Sequence, residues 1–393
     1  MKKTDKSNFK RISDIIFAAL FVIMIFIPFL GLNRTEIIDS KTENRRMQTW
    51  PGIRFDGSLN QTYERYVEDR VLFRNEAVLL YGNLVYDLTG EFTEKMHMEG
   101  NGGELFPADD GYIRAYQHLA TDDRLLSDLA TYLYRTNEYL KGEGIVFVFM
   151  TGLDKKSVYG DNMPSYLRVD ESREGIMESL AQKLDEKGVP YVIPVREFTD
   201  AKNSGTRIYN RSVDVAHWNA EGAFLGMKLL SDKVRDVAKE QYGSSEGYPA
   251  LRRKWFNIGE KETKLDFSVL DIYETVPTFK LKKKIKKGII TDWDFPGDLI
   301  HADGVYAQHF VNENADSEKT LLIFGDSFIR ERPEYLQPQY KNVYTVGRQN
   351  YEYMQAYVEK LKPDVVVFEV AERAFVDDLY NYVNLKDIVF GKG

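Results

Sequence analysis

Apolar residues are spaced in two ways along this chain, and the switch between the two outlines a fold. Leu125, Leu126, Leu129, Tyr132 and Leu133 share one face of a helix over Arg124 to Leu140, the 3.6-residue period of an amphipathic segment. Gly142 and Gly144 end it, and Ile145 to Met150 is then apolar without a break. A continuous apolar run between glycines is the pattern of a strand covered on both faces. Helical spacing returns over Ile176 to Leu184, a short strand follows at Tyr191 to Val195, and a long helix at Ala220 to Ala238. Near the C-terminus the alternation is plainest. Strands are predicted at Thr320 to Phe324, Val343 to Val346 and Asp364 to Val370, each followed by a helix, the last two over Tyr351 to Leu361 and Glu372 to Tyr380. Strands alternating with helices at this spacing predict an α/β fold, a doubly wound, mostly parallel sheet flanked by helices.

Three stretches depart from that rhythm. Ile15 to Leu32 carries no charge over eighteen residues and follows Lys2, Lys3, Lys6, Lys10 and Arg11. At ~1.5 Å per residue it just covers a hydrocarbon core of ~30 Å. It reads as an uncleaved transmembrane anchor with the N-terminus cytoplasmic and the rest extracytoplasmic; a cleavable signal peptide is the alternative, but Gly31 to Arg34 offers no small-x-small site. Thr35 to Pro51 is polar and aperiodic and reads as a stalk, and Leu59 to Leu88 is helical with a break around Val71-Leu72-Phe73. After the turn at Gly100 to Gly103, Glu104 to Phe106 reads as a short strand. Gly243 to Asp316 is irregular and holds Lys280, Lys282, Lys283, Lys284, Lys286 and Lys287. It reads as an inserted, solvated strand pair, or else as a basic face toward an anionic polymer or lipid headgroup. The expected organisation is therefore tail and anchor over 1–33, stalk and helical region over 34–100, and a catalytic domain over 101–393 with an insertion at about 243–316.

Composition narrows the chemistry. The 393 residues are 43% hydrophobic and 29% charged, an ordinary globular balance. The net charge of −8 argues against nucleic acid as a partner. The absence of cysteine excludes a thiol nucleophile, thiolate metal sites and disulfides. With five histidines, any imidazole chemistry has a short field of candidates.

Two segments stand out in that field. Gly325-Asp326-Ser327 follows the predicted strand Leu321 to Phe324, and a residue on a tight turn at the carboxyl end of a parallel strand is where such sheets bind ligands. Read blandly, Asp and Ser there are helix caps. Asp214-Val215-Ala216-His217-Trp218-Asn219 precedes the Ala220 helix. An imidazole activates a serine when its other nitrogen is held by a carboxylate, and an Asp and a His three apart in a loop can fold back on one another. His97, His118 and His309 lack such a setting, and His301 has only Asp303 nearby. Among tryptophans, Trp218 beside the candidate base is the one expected to stack on a sugar ring.

Together with Glu43-Asn44-Arg45-Arg46-Met47, Trp50-Pro51, Tyr63 to Arg70, Phe73-Arg74, Leu105-Phe106 and Asp110-Gly111, these segments come in the order seen in the AlgJ/AlgX-like (DHHW) proteins. The chain resembles that family of SGNH-hydrolase-like polysaccharide O-acetyltransferases along nearly all of its expected exported part, thinning over Gly243 to Asp316. The resemblance implies Ser327 as nucleophile, His217 as its base and Asp214 as the residue orienting the base. It also implies a polysaccharide acceptor, a membrane-bound O-acyltransferase as acetyl donor, and no cofactor or metal. The chain departs from the family's Asp-x-His-Trp by one extra residue, which leaves the partner of His217 open. Gly347 resembles the second SGNH glycine, with Arg348 and Asn350 as further oxyanion donors. Glu369, Glu372 and Arg373 stand where the third SGNH block carries Asn, and they read as an ion-paired sheet end. Lys155 lies in a segment similar to the family's Asp-Lys-x-x-x-Tyr and is expected to bind substrate. An esterase using the same residues, and a non-catalytic scaffold or glycan-binding component of an export machine, remain open beside the transferase.

Overall fold

A computed structural model describes residues 3–26, 31, 39–40, 45–52, 59–94, 96–266, 268–292, 299, 307–330, 332–377, 385, 388 and 390–391. The chain divides into two compact units, one of 1–94 with 264–272 and one of 95–263 with 273–393.

In the first unit, a helix over Lys3–Phe26 covers the first part of the expected anchor; 27–30 and 32 lie outside the described residues. Among the described residues no helix is long and apolar enough to cross a membrane. The predicted break at Val71 to Phe73 is real: helices run over Leu59–Glu68 and Arg74–Thr89, with Phe73 at φ 59° between them. Several family-like motif residues pack on one another here. Trp50 sits edge-on between Tyr63 and Tyr66, at 5.4 and 5.1 Å, and Asp69 accepts the Gln48 N–H at 2.8 Å. Glu43 and Asn44 lie outside the described residues.

The second unit is built on a mostly parallel sheet with seven strands among the described residues: β1 (Val146–Gly152), β2 (Tyr191–Val192), β3 (Ile289–Asp292), β4 (Ala307–Asn312), β5 (Thr320–Gly325), β6 (Asn342–Gly347) and β7 (Val365–Ala371). Their order is β2-β1-β7-β5-β6-β4-β3. Strands β2, β1, β7, β5 and β6 are parallel, while β4 runs antiparallel to both β6 and β3. Every residue of β1 and β7 is buried, as their unbroken apolar runs require. The helices Asp123–Gly142 and Ala220–Tyr242 both pack on β1.

The chain passes from β5 to β6 on one side, then returns to β7 on the other. The carboxyl end of β5 is therefore a topological switch point, where loops diverge and leave a crevice. Gly325-Asp326-Ser327 sits there. Two expectations are corrected. The strand at Tyr191 is two residues long, because Pro194 turns the chain into a helix over Val195–Asn203. The interval 243–316 is only partly an insertion: a hairpin, Phe256–Lys264 with Tyr273–Leu281, stands apart from the sheet, but β3 and β4 complete its edge. His301 and Asp303 lie outside the described residues.

Candidate active site

The loop carrying Asp214 and His217 is fixed at both ends. Tyr209 and Trp218 close it by an antiparallel bridge. Asn219 then caps the helix Ala220–Tyr242, its Oδ1 accepting from the Glu221 and Gly222 amides at 3.0 Å each, a cap of ~1 kcal/mol. Upstream, the Glu274 carboxylate on the hairpin accepts three consecutive amides, Arg211, Ser212 and Val213, at 2.8, 2.7 and 3.2 Å.

Within this frame Asp214 adopts a left-handed backbone, φ 43°, a conformation that Asp tolerates better than most residues. The chain turns back on itself there, and the extra residue between Asp and His is absorbed. His217 Nδ1 lies 2.7 Å from Asp214 Oδ1, and His217 Nε2 lies 2.8 Å from Ser327 Oγ. Three residues from two loops, 110 positions apart, thus form one continuous hydrogen-bonded relay. Burial pushes the Asp214 carboxyl up, but the hydrogen bond and charge of His217, with the charges of Arg332 and Arg373, outweigh it and hold the group below its ordinary value. Arg332 Nη2 stands 3.6 Å from Asp214 Oδ2.

The Gly325-Asp326-Ser327 turn is held by its neighbours. The Asp326 carboxylate accepts the Ala371 amide at 2.8 Å and also the Arg348 Nε–H, and the Asp326 amide donates to Glu369 Oε2 at 2.6 Å. Burial pushes the Glu369 carboxyl well above the usual range, and the Asp326 charge adds to this. Among the described residues Glu369 forms no ion pair, contrary to expectation; its Oε2 accepts the Asp326 amide instead. Room for it comes from Gly152 on the neighbouring strand, where a Cβ would stand 2.6 Å from Glu369 Oε1 and 2.6 Å from the Phe328 ring. Glu372 and Arg373 are ion-paired as read, to Lys156 and Asp154 at 2.8 and 2.9 Å. Arg373 does more than pair: it donates to the Ala216 carbonyl next to His217 and lies 5.2 Å over the Phe328 ring.

The other expected site residues fare differently. Gly347 ends β6 in register with Gly325 on β5, so its turn lies alongside the turn that carries Ser327. Arg348 donates from Nε to Asp326 and is 5% exposed, bracing the two turns together. Asn350 is fully buried, its Nδ2 3.4 Å from the Gly347 carbonyl. Trp218 cannot stack on a ligand. It is fully buried, donates to the Leu153 carbonyl at 3.2 Å, and packs on Phe328 and Phe198, with Gly226 leaving space for its ring. Lys155 is likewise consumed internally. Its Nζ donates to the Leu105, Asn210 and Arg211 carbonyls at 2.9, 2.8 and 2.9 Å and pairs with Glu104 at 2.8 Å. Arg332 and Glu274 escaped sequence reasoning, as did the contact of Arg373 with the Ala216 carbonyl, since no local pattern links them to the His217 loop.

No protein-family model matches the chain, and no curated protein matches it either. Among solved structures it is similar to Bacillus cereus PatB1, with a TM-score of 0.54 and 15% identity, over 73% of this chain and 99% of that one. Also similar are the O-acetyltransferase domain of Pseudomonas putida AlgJ (TM-score 0.46, 13% identity, 74% of this chain and 98% of that one) and a DHHW family protein from Eubacterium siraeum (TM-score 0.43, 13% identity, 76% and 100%). The mixed α/β fold of this chain is shared with PatB1, and its structural neighbours include the AlgJ/AlgX-like (DHHW) proteins that its motifs resemble.

Proposed function

We propose that this chain is an SGNH-hydrolase-like, doubly wound O-acetyltransferase that moves acetyl groups onto hydroxyls of a secreted or cell-wall polysaccharide. The observation that carries the reading is the Asp214–His217–Ser327 relay, with both hydrogen bonds within 2.8 Å, at a sheet end where a ligand can lie. In the first half-reaction His217 Nε2 takes the Ser327 hydroxyl proton as Oγ attacks the donor carbonyl. The tetrahedral oxyanion collapses to the acetyl-serine ester, and the leaving group departs with the proton from His217. In the second half, His217 takes a proton from an acceptor hydroxyl, which attacks the ester; the new ester leaves on the sugar and the proton returns to Ser327. Asp214 stabilises the imidazolium that forms in each half. We assign the oxyanion to the amides of Ser327 and Gly347, each donor worth about 3 kcal/mol in well-placed cases.

The apolar stretch Ile15 to Leu32, with basic residues ahead of it, supports a membrane anchor that leaves the catalytic unit extracytoplasmic, beside a membrane-bound O-acyltransferase as acetyl source. A second reading has its own support. The His217 and Asp214 side chains are 22% and 40% exposed, which lets water compete for the acyl-enzyme and would make the protein an esterase.

A structure of PatB1 carries a sulfonyl adduct, and an aryl sulfonyl fluoride is the corresponding probe here. We expect one covalent sulfonyl group on the wild type and none on Ser327→Ala by intact mass. With an activated acetyl ester, acetyl should move from Ser327 to added oligosaccharide. Acetate release indifferent to sugar would establish the esterase, and labelling that survives Ser327→Ala would overturn both readings.

A further inference from the structure

The hairpin that stands apart from the sheet ends in the most basic stretch of an acidic chain. Six of the eight residues 280–287 are lysine and none is acidic, against a net charge of −8 for the whole. Lys280 closes the second hairpin strand, and the rest form a single helical turn over Lys283–Lys286 and its flanks. Five of the six are exposed, Lys282 being half-buried. Leu281 and Ile285 alternate with them and pack against the core, so the stretch is pinned by its apolar residues and presents its ammonium groups outward. None of the six ion-pairs with another of the described residues. Several lysines elsewhere are partnered, as Lys319 is by Asp364 and Lys341 by Glu318.

This face borders a groove of about 530 Å³. Lys280 and Lys286 line one side, and Pro333, Glu334 and Gln337 line the other. That second wall directly follows the nucleophile helix Ser327–Arg330, and Arg332, at its start, lies 3.6 Å from Asp214. One wall of the groove is thus a single residue from the contact that Arg332 makes with Asp214. Among the described residues lining it, the acid is Glu334, held above the ordinary carboxylate value by burial, so it opposes an anion less than a free carboxylate would.

We propose that the 280–287 face and its groove dock a polyanionic glycan, a polymer carrying acidic groups at intervals, as the acceptor for Ser327. The proposal rests on the acyl-transfer reading for its purpose but not for its test. Clustered cations within one helical turn act together, because their spacing is below the ~8 Å screening length of physiological salt. An anionic membrane would satisfy the same lysines, but a flat headgroup surface would make no use of a groove whose wall adjoins Arg332 and, through it, Asp214, whereas an acceptor chain must come close to that residue.

The test measures binding of the full chain, held in neutral phosphatidylcholine nanodiscs, to polygalacturonate, to neutral pullulan and to phosphatidylglycerol vesicles. Ser327→Ala serves as background, which separates docking from chemistry. Polygalacturonate should bind and pullulan should not. Changing Lys280, Lys283, Lys284 and Lys286 together to Gln should weaken binding by about tenfold or more and flatten its dependence on salt, by roughly 0.7 in log–log slope per lysine lost. The same four changed to Arg should keep it, which excludes a folding defect. Equal binding by the Gln variant, equal binding to pullulan, or lysine-dependent capture by the vesicles alone would each overturn the proposal. If Ser327 proves chemically inert while polygalacturonate binding persists, the acyl-transfer reading falls and the docking surface stands.

Discussion

Lysine at the end of a parallel strand is a common way to meet an anionic ligand, and Lys155 shows how such a position can be turned inward. Three carbonyls and Glu104 enclose its ammonium, so it pins the Leu105 strand and the 210–211 loop together. Burial pushes it down to about 8, with Glu104 opposing the shift. Between pH about 8 and its ordinary 10.5, the unfolded chain keeps a proton that the folded chain has shed, so stability from this residue rises with pH in that window. Below about 8 both states are charged and the cost of burial is constant. We therefore expect the wild type to gain on Lys155→Met, which has no such titration, as pH is raised through that window in urea denaturation. A constant difference would show that Lys155 titrates elsewhere. Trp218 teaches the same lesson. Its type suggests sugar stacking, but the notch at Gly226 that buries it belongs to a different turn of chain. Ser327, His217 and Asp214, by contrast, were legible, because each sits in a short motif beside a strongly patterned strand or helix.

At the scale of elements, what could be read depended on burial. The five parallel strands are apolar and largely covered, so their runs stood out. β3 and β4 did not: Ile290 is 60% exposed, and Gln308 and Asn312 interrupt the other strand. The edge strand β3 and its antiparallel neighbour β4 lack the two-sided cover that produces a continuous apolar signal. The hairpin was legible as a strand pair, but its grip on the active-site loop was not, since Glu274 meets Arg211, Ser212 and Val213 across some sixty residues of sequence. Glu274→Ala would strip an acceptor from three amides, a loss of about 1–3 kcal/mol, and would loosen the loop that positions Asp214. We expect a lower urea midpoint together with slower sulfonyl labelling of Ser327. Glu274→Gln, which keeps one accepting oxygen, should recover part of both. A variant with unchanged labelling would reduce the hairpin's role to support alone.

For the molecule as a whole, the division into units predicts what can be removed. Asp214, His217, Ser327 and the residues bracing them all belong to the second unit. The 264–272 tip belongs to the first, where Asn83 donates to the Val269 carbonyl at 3.3 Å and Leu265, Val269 and Leu270 are buried. A chain beginning at residue 95, with 265–271 replaced by an Asn-Gly turn to remove those apolar side chains, should keep Ser327-dependent labelling. Loss of labelling in a folded fragment would mean that the first unit contributes to the site.

The position of β7 has a consequence in time. Among the described residues it is the last strand of the sheet in sequence, yet it lies between β5 and β1; it supplies Glu369 to the Asp326 amide and the Ala371 amide to the Asp326 carboxylate, and Arg373 just after it donates to the Ala216 carbonyl beside His217. A ribosome makes the chain from its N-terminus, so the serine and the histidine exist for some time before anything holds them in line. A nascent or C-terminally clipped chain would carry Ser327, His217 and Asp214 without the contacts that align them, so the acyl chemistry proposed above would wait until synthesis is nearly complete.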